Sequence, residues 1–184
     1  ANISRDPTTG YVSDYLVGPA NVAQFSTSGA DFTMNYNFAI SPTAGRFNVR
    51  LNGGYLDSLQ FTPTPGAELD DDRGEAFSPK WVGSADLTWS LDNFAVNYGI
   101  SYFSKTRRFT TEQLEANPDI SDPRYFFFKE KWEHDLRLQF TTDDNRFTFY
   151  AGVNNLFDEK PAVASLDYPV SIIGRYYFAG VKIG

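Results

Sequence analysis

Among the side chains able to do proton chemistry near neutral pH, His134 is the only histidine in this 184-residue chain. It stands two residues after Trp132 and two and four before Leu136 and Leu138, so in an extended segment it shares their face. Hydrolytic catalysis needs a nucleophile, a base and an oxyanion donor within reach of one another. A lone His among large apolar residues reads instead as an interfacial ring, and no catalytic residue is assigned. The run Asp70-Asp71-Asp72 offers hard oxygen ligands for calcium or for cations that bridge lipopolysaccharide. A solvated, mobile loop is the simpler reading of the same run, and no metal site or cofactor is expected. Arg46, Arg50 and Arg137 share the parity opposite to the rings, as do Asp86 and Asp135. They either line a path for an anionic ligand or, more simply, pair as salt bridges. Tyr125-Phe126-Phe127-Phe128, beside Lys129 and Lys131, is either an interfacial anchor or a platform of rings for a ligand; the anchor is favoured.

Strands must carry these groups. Apolar or aromatic residues take every even position in Asp31–Ile40, and the alternation returns in Arg46–Tyr55, Trp81–Leu91, Phe94–Tyr102, Trp132–Thr141 and Phe147–Val153. With a less regular start at Val22–Ser28 joined to the first segment, and a last run at Tyr176–Ile183, about seven strands are expected. A turn or two of helix is expected over Thr111–Asn117. The connections alternate strictly in length. Short turns fall at Ser41–Gly45, Leu91–Asn93 and Thr142–Asn145, and long ones at Asp57–Pro79, Ser104–Lys131 and Asp158–Gly174. An up-and-down meander then gathers every short turn at one end and every long loop at the other, the asymmetry of outer-membrane barrels.

Composition agrees. Aromatic residues make up 17% of the chain, yet charged ones make up 21%, so rings are interleaved with polar residues. No run approaches the roughly 18 apolar residues of a membrane-spanning helix, which leaves a barrel open. The start, Ala1 to Pro7, does not read as a signal peptide. A net charge of -7 argues against nucleic acid, whose phosphates need neutralising. Cysteine is absent, so neither disulfides nor thiolate metal sites occur. The regular strands are about ten residues long, as tilted spanning strands require, and rings such as Tyr55, Trp81, Tyr102 and Trp132 sit near strand ends. A membrane barrel is therefore favoured over a soluble β-sandwich binding module.

Phe149-Tyr150-Ala151-Gly152-Val153-Asn154-Asn155-Leu156-Phe157-Asp158 resembles the penultimate-strand pattern of TonB-dependent outer-membrane receptors. Pro161, Tyr168 and the closing Gly174-Arg175-Tyr176-Tyr177-Phe178-Ala179-Gly180-Val181 extend the likeness, and Ser28-Gly29-Ala30-Asp31-Phe32 resembles an earlier strand start. Of these, Gly152, Asn154, Asn155, Leu156, Phe157, Asp158, Gly174, Arg175, Tyr177 and Gly180 are expected to be structural. Gly174 would permit the return bend, and Gly180 would let strands approach closely. The resemblance implies that residues 1–184 are the C-terminal portion of a 22-stranded transmembrane barrel, with the plug domain and TonB-contacting segment elsewhere. The family usually ends on an aromatic residue, whereas this chain ends at Gly184. Implied partners are outer-membrane lipid, lipopolysaccharide, the N-terminal strands and plug, TonB through the plug, and a ligand. That ligand would be a ferric siderophore, haem, cobalamin or an oligosaccharide, imported across the outer membrane of a Gram-negative cell. Arg46, Arg50, Asp86, Arg137, Tyr125 and Tyr168 are the candidate ligand contacts, in the lumen or outer loops. A passive porin or structural barrel is the alternative, and neither is an enzyme.

Overall fold

The structure, a computed structural model, describes residues 2–16, 23–162 and 168–184; Val22, expected at a strand start, and 163–167 of the last long connection lie outside the described residues. A hairpin of β1 (Asn2–Arg5) and β2 (Val12–Leu16) forms a two-stranded sheet of its own, which the alternation pattern does not announce. Next come β3 (Gln24–Ser41), β4 (Gly45–Thr62), the short β5 (Asp70–Asp71), β6 (Trp81–Leu91) and β7 (Phe94–Phe103). The second long loop holds β8 (Thr106–Arg107), α1 (Thr111–Ala116), a 3-10 turn at Pro123–Tyr125 and β9 (Phe127–Phe128). Then follow β10 (Lys131–Thr141), β11 (Phe147–Asn154) and β12 (Tyr176–Ile183). The main sheet runs β3-β4-β6-β7-β10-β11-β12, every neighbour antiparallel, with β5 added beside the outer end of β4. This is an all-β up-and-down meander, the fold of a stretch of outer-membrane barrel wall.

Register decides which side chains share a face. One row across the sheet reads Tyr36, Val49, Leu87, Tyr98, Leu136, Val153, Tyr177, and the next Phe38, Phe47, Trp89, Val96, Leu138, Ala151, Ala179. The opposite face carries Asn37, Asn48, Thr88, Asn97 and Arg137 in one row. Neighbouring polar groups bond across strands there: Asn48 Nδ2 donates to Asn35 (2.6 Å) and Asn37 (2.8 Å), and Asn97 Nδ2 to Thr88 (2.9 Å). The apolar face is uncovered, with Phe32 56% and Tyr36 59% exposed. Among the described residues no second sheet packs against it, since the long strands contact only their hydrogen-bonded neighbours. A β-sandwich needs two such faces pressed together, so the sandwich alternative is overturned.

Ring pairs edge this band at both ends. Tyr55–Trp81 and Tyr102–Trp132 each stack at 4.4 Å toward the long loops, and Trp89–Phe94 meet at 6.1 Å toward the short turns. From Trp81 to Trp89 the strand advances about 26 Å at ~3.3 Å per residue, or about 20 Å after a ~40° tilt, close to the ~25 Å apolar band of a barrel. Trp89 also donates its indole N–H to Ala44 O (2.8 Å), clamping the first short turn.

β4 is longer than its alternation suggested, and extends six residues into what the sequence presented as loop. β3 pairs with it along this whole extension, and one extra residue interrupts the pairing. Register shifts between Ser28 and Gly29, so that Ser28 faces Ser58 whereas Gly29 faces Leu56, leaving Asp57 as a bulge. Ser28 Oγ bonds both Asp57 Oδ2 (3.2 Å) and Ser58 Oγ (2.7 Å). Because side chains alternate, one extra residue moves every later one to the other face. Phe47, Val49, Leu51 and Tyr55 lie on the apolar face, but Leu59 and Phe61, of the same odd parity, pair with Thr27 and Phe25 on the opposite one. Outward positions above the bulge are Ser26, Ser28, Ser58 and Gln60. The polarity of the hairpin inverts at Asp57. Gly29 is required here, since a Cβ would strike the Tyr55 carbonyl oxygen.

Candidate functional site: the vestibule among the long loops

The three long connections pack on one another. Tyr168 is 9% exposed, between the rings of Phe77 (4.7 Å) and Phe128 (5.3 Å), and its hydroxyl bonds Thr106 Oγ1 at 3.2 Å. Phe77 comes from the first long connection, Thr106 and Phe128 from the second and Tyr168 from the third, so the tyrosine joins all three loops. An ion pair between buried Glu75 and half-buried Arg107 adds a second link. Glu75 reaches Arg107 at 3.2 Å and accepts the Thr111 N–H at 3.3 Å, while Arg107 Nη1 donates to Thr111 Oγ1 at 2.7 Å. Burial raises the Glu75 pKa even though Arg107 opposes the shift. Thr110 starts α1 with a reciprocal cap: its hydroxyl accepts the Gln113 N–H, and Gln113 Oε1 accepts the Thr110 N–H.

Beside this knot lies an open cavity of about 890 Å³, bounded by the outer end of β4, β5, β8, α1 and β9. Phe61 stands at its wall because the Asp57 bulge turned that residue inward. Leu69 and Phe127 add further apolar surface, with the Lys105 ammonium 3.7 Å over the Phe127 ring. Charged groups of both signs complete the wall: Glu68, Asp70, Asp71, Glu112 and Glu115 against Arg73, Lys80, Lys105 and Arg107. Two of the cations are engaged, Arg73 with Asp71 at 3.6 Å and Arg107 with Glu75. Burial first, then the charges of Asp72 and Glu112, raises the Asp70 pKa; that of Glu112 is lowered, chiefly by a hydrogen bond to Thr110.

The predicted residues separate into several places. Arg46, Arg50, Asp86 and Arg137 do share the polar face, and Arg50 stands opposite Asp86 in register. The expected salt bridges are absent: among the described residues none of the three arginines pairs with a carboxylate, and Asp135 instead accepts the Asn155 N–H at 2.8 Å. Arg137 lies over the Tyr150 ring at 5.2 Å. Asp70-Asp71-Asp72 is not a free loop. No three metal-capable side chains converge among the described residues, and β5 ties the run to β4, where Asp71 Oδ1 accepts the Leu59 and Arg73 N–H groups. The aromatic run is not one platform: Tyr125 is exposed under Arg124, Phe126 meets Phe109, Phe127 lines the cavity and Phe128 is buried. Tyr168 has its ring enclosed by packing. His134 lies on the apolar face as expected, with Nδ1 2.7 Å from Tyr98 OH and the Phe157 ring edge-on at 4.9 Å.

The motif residues converge. Asn155, 3% exposed and at φ +53°, uses its amide on both backbone groups of Glu159, accepting the N–H (2.6 Å) and donating to the carbonyl (2.8 Å). Asp158 accepts the Arg175 N–H at 3.0 Å and pairs with Lys160 at 2.8 Å, the latter being the first cause of its lowered pKa. Gly174, at φ +70°, leaves room for that carboxylate, and Leu156 N–H reaches back to the His134 carbonyl. Asn154 pairs with Tyr176, and Tyr177 OH receives Arg175 Nη1 at 3.4 Å. Exit from β11 and entry to β12 are thus clasped together. Gly180 does not bring strands closer; it lies beneath the Tyr150 ring, as Gly152 lies beneath Phe178. Sequence reasoning missed Phe61, Lys105, Arg107 and Glu112, and only the even spacing of Leu59 and Phe61 hinted at any of them.

No family model matches the chain, and no curated protein matches it in sequence. Solved structures do match. Two mutants of the ferric enterobactin receptor of Pseudomonas aeruginosa superpose with TM-scores of 0.54 and 0.52 at 12% and 11% identity, each over 84% of this chain. The chain spans about a fifth of those receptors (22%), and at this identity the likeness is one of fold.

Proposed function

We propose that this chain is part of the wall and outer loops of a TonB-dependent receptor, which imports a scarce nutrient across the outer membrane of a Gram-negative cell. The observation that carries this reading is the unbroken apolar face, about 20 Å tall, edged by rings and opposed by a polar face. Hydrocarbon on one side and water on the other satisfies both. Two sheet edges, along β3 and β12, present unpaired backbone groups, which lipid does not tolerate. Further strands of a larger barrel are proposed to pair there, with a plug inside it. The vestibule among the loops then gathers ligand from outside, and Arg46, Arg50, Asp86, Arg137 and Tyr125 are proposed as later contacts along the lumen or loops. The fold likeness to an enterobactin receptor supports transport and brings a ferric siderophore forward among the substrates the motif resemblance implies. His134 and the Tyr98 hydroxyl it bonds both stand on the apolar face, away from the vestibule, so no enzymatic role is proposed.

The full-length protein in lipid vesicles tests the wall. Lipids brominated at graded depths should quench Trp81, Trp89 and Trp132 strongly; fluorescence indifferent to bromine would end the barrel reading. Uptake in cells then separates a receptor from a passive porin: collapse of the inner-membrane proton gradient should stop accumulation, and accumulation that persists fits the porin.

A further inference from the structure

The vestibule carries information about what it accepts, and this inference rests on the receptor reading above. Phe61, Leu69 and Phe127 are 37%, 53% and 43% exposed at its wall, an apolar surface left open to the cavity. The bulge at Asp57 spends an extra residue to turn Phe61 toward it. Its cations are largely occupied: Arg107 with Glu75 and Thr111, Arg73 with Asp71, and Lys105 with the Phe127 ring. Only Lys80 lacks such an engagement, its chain lying along Gly74. Glu68, Glu112 and Glu115 are exposed on the same wall as Asp70; among the described residues none of the four is in an ion pair, and Arg107 acts on Asp70 and Glu112 only from a distance. We infer that the vestibule takes a ligand of neutral or positive charge that presents hydroxyl or amine donors beside an apolar face, and rejects polyanions. Carboxylates accept such donors in charge-assisted bonds, rings cover the apolar face, and both arginines of the wall among the described residues, Arg73 and Arg107, are already engaged and so not set to clamp an anionic chelate.

Full-length receptor in detergent is titrated with three probes: a neutral malto-oligosaccharide, a ferric trihydroxamate carrying one free amine, and a triply anionic ferric tris-catecholate. At least one of the first two should bind about tenfold or more tightly than the tris-catecholate at low salt. The two donor-bearing probes distinguish a hydroxyl source from an amine source. Glu115→Lys, at an exposed position that folding tolerates, should move the preference about tenfold toward the tris-catecholate, and Phe61→Ala should weaken the favoured probe. Tighter tris-catecholate binding by the wild-type protein, a ratio unmoved by Glu115→Lys, or no binding of either donor-bearing probe would overturn the inference. Energised uptake, measured separately, decides the receptor reading whatever these affinities are.

Discussion

Replacing Asn155 should open the clasp between β11 and β12 at a cost that can be worked out from its bonds. The side chain makes two hydrogen bonds to Glu159, at 2.6 and 2.8 Å, in a nearly fully buried position. Each contributes about 1 kcal/mol net. A φ of +53° costs a residue with an ordinary Cβ about 1 kcal/mol more than it costs asparagine, which adopts that region readily. Asn155→Ala should therefore destabilise by about 3 kcal/mol, and Asn155→Gly, which relieves the backbone but loses both bonds, by about 2 kcal/mol. Reversible denaturant unfolding of the full-length barrel from lipid vesicles gives the total. Amide exchange at Glu159, whose N–H would lose its acceptor, localises it. Unchanged exchange at Glu159, with both variants within ~0.5 kcal/mol of wild type, would refute the account of the motif as a clasp.

Faces differ in tolerance: Leu87→Lys on the apolar face should cost about 2–4 kcal/mol of folding into lipid and Thr88→Lys on the polar face under ~1 kcal/mol, measured by the same unfolding. Gly152→Val should force the Phe178 ring from its seat and cost about 1–3 kcal/mol, and adding Phe178→Ala should restore part of the loss. Glu75 has its pKa raised by burial, so its contribution is fully present below the ordinary carboxylate value of 4.5 and is lost as pH rises through the higher folded value. Glu75→Gln should accordingly gain on wild type in loop-cap stability as pH rises through the region just above 4.5, and a difference constant with pH would contradict that sign. Inserting one residue between Ser28 and Gly29, opposite Asp57, should give the bulge a partner, restore parity through β4 and turn Leu59 and Phe61 outward, detectable as lost binding of whichever probe the vestibule holds.

Alternation was legible because lipid and water act on every residue of a spanning strand, and seven strands repeat the same two-residue rule. The ends of β6, β7, β10 and β12 could be read to within a residue or two, as could the short turns between strands, because rings stop where the apolar band stops. Above that boundary the rule loses its cause. Thr62 to Pro65 looks like the middle of a loop, yet β4 runs on to Thr62 because β3 offers it a partner as far as Gln24, and pairing between segments more than thirty residues apart leaves no periodic mark. Asp70-Asp71-Asp72 shows the same limit: its carboxylates look solvated until β5 docks on β4.

The bulge joins these two regimes and explains why the site was harder to read than the wall. Along β4 the odd residues from Phe47 to Phe61 are apolar apart from Gly53 and Asp57, so parity alone would put Leu59 and Phe61 on the face of Phe47 and Tyr55. One unpaired residue, Asp57, divides that series into rings that meet hydrocarbon and rings that meet the vestibule. No local propensity distinguishes the two sets, because phenylalanine suits either environment. What distinguishes them is the opposite strand, where Ala30 and Phe32 give way to Ser28 and Ser26 at the same even parity. On the hairpin the polar groups therefore change sides at one height on both strands, which a slip in register would not produce. A membrane boundary would. The vestibule is then built by the same alternation as the wall, offset by one residue, at the height where lipid no longer needs a ring.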